Sequence, residues 1–205
     1  MAITSIKTGS SFTNLIKYND FLAGNPGYDP GATWLIQRIA GTGTAASLQF
    51  TSIPSTYKHL QIRYCIRGYD TSSRSDDDLR IRFNNDSTSA NYYGHFLQGN
   101  GSTVAAVAQS GAYAGGQVVI SQTVPGSGAT ANVMATGIID IHDYASTTKN
   151  KTVRFITGND RNGSGQIRLG SVGYFSTSAI SSIQLLPDPD GFTTTSTFAL
   201  YGMVG

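Results

Sequence analysis

The chain of 205 residues contains no glutamate, one cysteine and one tryptophan. Its charged residues amount to 13%, about half the share usual in soluble domains. Each shortage excludes something. With Cys65 alone there can be no internal disulfide, so stability must come from packing. All twelve acidic residues are Asp, which favours turns and caps because its short side chain bonds to nearby backbone, whereas Glu favours helix interiors. No apolar run approaches the ~20 residues of a membrane-spanning helix. The first ten residues lack the apolar core of a secretory signal, so synthesis in a cytoplasm is expected. A net charge of +2 is too weak to imply nucleic acid as a partner.

What is present is the vocabulary of strands and tight turns: 24 Gly, 11 Tyr and 9 Phe, with abundant Ser and Thr. Period-two alternation is clearest in Tyr57–Arg67. There Leu60, Ile62, Tyr64 and Ile66 share one face, and Gln61, Arg63, Cys65 and Arg67 share the other. Leu79–Phe83 repeats it, with Leu79, Ile81 and Phe83 inward and Arg80 and Arg82 outward. Further strands are expected at Thr33–Ile39, Ser47–Phe50, Tyr92–Leu97, Gln117–Gln122, Asn132–Ile141, Lys151–Gly158, Ile167–Phe175, Ile180–Leu186 and Ser196–Val204. Gly/Pro/Asn/Asp connectors separate many of them: Gly99–Gly101, Pro125–Gly128, Asn159–Gly163 and Pro187–Gly191. Ten or eleven short strands with no helical period predict an all-β, antiparallel β-sandwich of jelly-roll type over residues 33–205. Residues 1–32 differ. Their apolar residues keep no sustained period, and Asn25–Gly31 holds two Pro-containing turns. They are expected to form an extended arm whose apolar groups another chain must cover.

Candidate chemistry is thin. Asp140-Ile-His142-Asp143 places Asp140 and His142 on one strand face but turns Asp143 away, so three ligands cannot converge from that spacing. The Gly-x-Ser-x-Gly turn of a serine nucleophile is missing, and the aspartates sit in turn-like contexts, not as a spaced pair in a cleft. Asp76–Asp78 with Asn84-Asn85-Asp86 could offer oxygens to calcium, although the spacing is not that of an EF-hand. Cys65 reads as a buried, inert thiol. The expectation is a non-enzyme with no cofactor and no catalytic or metal residues. Two sets of partner-binding residues stand out. Large apolar groups at the arm and domain edge are Phe21, Leu22, Tyr28, Trp34 and Ile36. Arg63, Arg67, Arg80 and Arg82 would form a basic stripe if their two strands were neighbours, with pairing to Asp76–Asp78 as the competing reading.

Four stretches also look familiar. Phe50–Arg63 (FTSIPSTYKHLQIR) resembles a segment recurrent in small virion proteins of tailed phages, particularly those infecting cyanobacteria and marine bacteria. Leu79–Asp86 with Asn91–Tyr93, Gly137–Tyr144 with Lys151–Arg154, and Phe198–Gly205 follow in the same order. The resemblance spans residues 46–205. It implies a structural role on a β-sandwich scaffold, either as a capsid decoration (cement) protein or as a tail-fibre module, and it brings no catalytic residue. A short apolar arm on one domain, without shaft repeats, points to decoration. The expected partners are then the major capsid protein and further copies of the chain in a homotrimer on the outer capsid surface, with no nucleic acid and no membrane. The alternative is a fibre module that binds host polysaccharide through exposed Tyr and loop Asn/Asp.

Overall fold

The computed structural model describes residues 33–44, 47–110, 115–188 and 190–204. The arm, with Phe21, Leu22 and Tyr28, lies outside the described residues. Among those described there is no α-helix, only a 3-10 turn at Ser89–Asn91. The strands in chain order are β1 (Thr33–Ala40), β2 (Leu48–Phe50), β3 (His59–Ile66), β4 (Gly68–Tyr69), β5 (Asp76–Phe83), β6 (Tyr92–Gly99) and β7 (Val104–Ser110). They continue with β8 (Val118–Pro125), β9 (Ala135–Ile141), β10 (Lys151–Asp160), β11 (Gly165–Tyr174), β12 (Ile183–Asp188), β13 (Gly191–Phe192) and β14 (Thr197–Met203).

They form an eight-stranded sheet in the order β1-β14-β3-β9-β10-β11-β6-β7, a four-stranded sheet β2-β12-β5-β8, and a small β13-β4 ribbon. Every pairing is antiparallel. The protein is an all-β sandwich. Its chain alternates between sheets: β1, β3, β9 and β14 lie in the large sheet, and β2, β5, β8 and β12 in the small one. Two hairpins, β6-β7 and β10-β11, widen the large sheet beyond β9.

One core cluster draws on both sheets. The inward residues of β3 (Leu60, Ile62, Tyr64, Ile66) and of β5 (Leu79, Ile81, Phe83) are buried in it, as their alternation predicts. Tyr92, Tyr174 and Phe83 pack together beneath β6 and β11, with ring centroids 5.0–6.3 Å apart. Tyr92 is buried and its neighbour Tyr93 exposed, as a strand requires. At β12 the sheet accommodates Pro187 because β2 flanks only Ile183–Leu185, so the missing N–H faces no neighbouring strand.

Glycine makes two close approaches possible. A Cβ on Gly137 would sit 2.4 Å from the Tyr64 hydroxyl. With none there, Tyr64 crosses β9 and its hydroxyl donates to Thr157 Oγ1 on β10 at 2.7 Å. A Cβ on Gly170 would sit 2.3 Å from the Phe155 ring.

Candidate docking surface

β3 and β5 lie in different sheets, so Arg63, Arg67, Arg80 and Arg82 do not line one face as a stripe. Three of the four are spent inside the structure. Arg67 donates to the carbonyls of Ala129 (2.8 Å), Thr130 (2.7 Å) and Val133 (3.2 Å), latching the loop that leads into β9. Arg80 pairs with Asp78 at 3.0 Å and with Asp188. Arg82 reaches the Gly116 carbonyl at 3.1 Å, the Gly115 carbonyl, and Gln184 at 3.2 Å. Only Arg63 is exposed, lying over the Tyr201 ring at 5.1 Å and donating to Gln61 at 2.7 Å. At the domain edge, Ile36 packs against the core and Trp34 is half-buried. A register shift between Leu35 and Gln37 leaves Leu35 as the outward apolar residue of β1. Cys65 is half-buried, not buried, because it alternates with the inward Tyr64 and Ile66.

The Asp140, His142 and Asp143 side chains each have separate partners. Asp140 accepts from Gln61 at 2.8 Å, and the His142 ring lies 3.3 Å from Arg154 and edge-on to His59. His59 Nδ1 accepts the Asp143 backbone N–H at 3.0 Å. Burial, then the neighbouring His142, lower the His59 pKa, so the ring is neutral. Asp143 pairs with Lys149 and Lys58, which hold its carboxyl down to about 2. Among the described residues no three His, Cys, Asp or Glu side chains are grouped to hold a metal ion. The Asp78 and Asp86 carboxylates of the suggested calcium cluster are engaged separately, Asp78 by Arg80 and Asp86 by Asn91 at 2.7 Å.

The surface that stands out is the outer face of the large sheet, which divides into two halves. Over β14 and β3 it is polar, with Arg63, Gln61 and Tyr201 joined to Asp140 on β9. Beyond β9 it turns apolar. Ala106, Leu97, Leu169, Ile156 and Ile138 are direct cross-strand partners on β7, β6, β11, β10 and β9, a single row across five strands. Leu97 is 53% exposed, Leu169 56%, Ile156 45% and Ile138 37%. Ile167, one row away, is also exposed.

The inner face beneath this row carries the opposite chemistry. Gln98, Arg168, Thr157, Gly137 and Tyr64 are likewise in register. Arg168 is buried, donates to Gln98 at 2.9 Å and to Gln122 of the small sheet, and lies 4.0 Å over the Phe96 ring. At this end of the sandwich the usual polarity is inverted, with hydrogen-bonded polar groups inside and leucine and isoleucine in water. Single exposed apolar residues are ordinary, but a contiguous row is the mark of an interaction surface.

Two shallow depressions lie on the same half. One, of about 640 Å³, is bounded by Leu97, Ala106, Ala108, Leu169 and Arg154. The other, of about 930 Å³, is lined by Ile138, Ile156 and Ile167 together with Asn100, Asp160 and Gln166. Gly99 and Gly158 flank Ile167 in register and raise no side chain above the sheet. The sequence reading missed this surface. The signal lay in Ile167–Phe175 and Lys151–Gly158, where both alternating sets contain apolar residues. A search of protein-family models and of curated proteins finds no match to the chain.

Proposed function

We propose that the chain is a virion structural protein of a tailed bacteriophage, a capsid decoration (cement) protein that binds the outside of the assembled head as a homotrimer. The observation that carries the docking role is the exposed apolar row Ala106–Leu97–Leu169–Ile156–Ile138, set on a rigid sheet. The four familiar segments direct that role to a virion. A jelly-roll reading fits the strand order. β1-β14-β3-β9 faces β2-β12-β5-β8, the alternation produced when a folded-over pair of chain halves winds into two sheets. In this reading the action is wholly non-covalent. Several modest contacts per subunit, multiplied by symmetry, resist head expansion better than any one of them alone. The major capsid protein is the partner that residues 1–32 reach.

The test is an antibody-gold label on intact virions viewed by electron microscopy. Label over the whole head is expected. Label confined to tail tips overturns decoration in favour of a fibre module, a reading to which the polar residues lining the larger depression lend support. Absence of label from purified particles refutes both.

A further inference from the structure

We propose that the apolar half of the large-sheet face, over β9, β10, β11, β6 and β7, is covered by a second copy of this chain and is the self-association surface of a homo-oligomer. The inference rests on the docking reading of that face and names its occupant. It does not depend on the identity of the particle.

Three observations select a copy of the chain over another partner. The first is charge. The row beside the apolar one holds Arg154 and Asp140 as direct cross-strand partners on β10 and β9. Opposite charges side by side leave this row neutral as a set, which suits the equally neutral, apolar surface of a second copy. A strongly acidic or basic partner finds no matching field here.

The second is area. Five strands span ~20 Å across the sheet, and the rows from Tyr93 to Ile167 span a similar length along them. That planar footprint is on the order of 400 Å², which side-chain relief raises to roughly 600 Å² per copy, or ~1,200 Å² for two, at the lower bound of stable interfaces. The third is continuity with the sheet edge. β7, the terminal strand, reads Val-Ala-Ala-Val-Ala-Gln-Ser. It carries no charge and no proline, the devices that keep exposed edges apart. The apolar row runs to this edge through Ala106, so a copy seated on the face also shields it. The inverted polarity beneath adds rigidity, because the Arg168–Gln98–Gln122 bonds tie the row's backbone to the small sheet.

Light scattering during size exclusion of the full-length protein tests the proposal. The wild type is expected at an integral multiple of 21.7 kDa. Ile156→Lys combined with Leu169→Lys should run at the single-chain mass, with apparent association weakened about 100-fold or more, as expected when two central anchors are lost. Thr177→Lys, an exposed position off this face, should leave the oligomer intact. Leu97→Ser with Leu169→Ser adds no charge to the sheet. It should also weaken association, and a wild-type circular dichroism spectrum separates this from misfolding. A wild type that stays monomeric at 100 µM overturns the proposal, as does an oligomer indifferent to both double variants. A monomer that still labels virions, and loses the label with Leu169→Lys, transfers the face to a different partner. That result sinks self-association while leaving the docking reading standing.

Discussion

Asp77 sits inward on β5 with only 3% of its surface exposed, and neither carboxyl oxygen receives an N–H or hydroxyl donor. Its neighbour is the equally buried Asp70. Burial pushes Asp70 up, but backbone N–H groups of Arg74 (3.1 Å) and Ser72 (2.6 Å) outweigh it and hold the group below the ordinary Asp range. Asp70 is therefore the ionised member. Burial, then the Asp70 charge, push Asp77 up to about 7. Asp77 keeps its proton and shares it with Asp70. The pair is sealed by backbone: a Cβ on Gly68 would lie 1.7 Å from Asp77 Oδ2.

A pKa raised in the folded state means that the folded protein holds a proton the unfolded chain has released. The stabilisation is complete below pH ~4 and is lost as pH rises toward 7. Three units at 1.36 kcal/mol each set a ceiling of about 4 kcal/mol. Asp77→Asn keeps a donor toward Asp70 and cannot ionise. It is expected to be close to neutral at pH 4.5 and to stabilise by ~2–4 kcal/mol at pH 8.5, or roughly 5–15 °C in Tm for a domain of this size. Urea melts of both proteins from pH 4.5 to 8.5 measure it. The difference between them removes other titrations, including the opposite slope from His59, whose lowered pKa makes stability fall as the pH drops below ~6.5. A stability difference independent of pH, or larger at acid pH, refutes the argument.

Gly170→Ala should destabilise by about 1–3 kcal/mol, as overpacking does, because its Cβ meets Phe155 at 2.3 Å and Phe96 Cβ at 2.9 Å. Chemical denaturation reads it, and an unchanged midpoint argues against the close approach. Arg67→Ala removes three carbonyl contacts from residues 129–133. New protease cleavage in that loop is expected well below the global melt, with the strands intact by circular dichroism.

Much of the fold was legible because burial imposes a period on β3 and β5. Inward Leu60, Ile62, Leu79 and Ile81 alternate with polar residues, and only one orientation satisfies both. β7 was missed because Val104–Ser110 holds three alanines among its seven residues, which carry little strand preference and give no polar alternation. The short β4-β13 ribbon holds two residues on each side, too few for any pattern. Arg63, Arg80 and Arg82 do lie on the polar faces of their strands, while Arg67 falls in the break between β3 and β4. Alternation says nothing about which strands become neighbours, and that unknown separated them.

The amino-acid sequence by itself determined that this chain is built of strands, where most of them run and which side of the regular ones is buried, because those properties depend on neighbours one or two residues apart. Only the tertiary structure decided that Ile138, Ile156, Leu169 and Leu97 stand in one outward row above Gln98, Arg168 and Thr157. On β11 apolar residues occur on both sides, so local alternation is balanced. Val172 and Tyr174, anchored in the core, turn Leu169 outward and Arg168 in, and cross-strand register then aligns Leu97 with Leu169, more than seventy positions away, into a single surface.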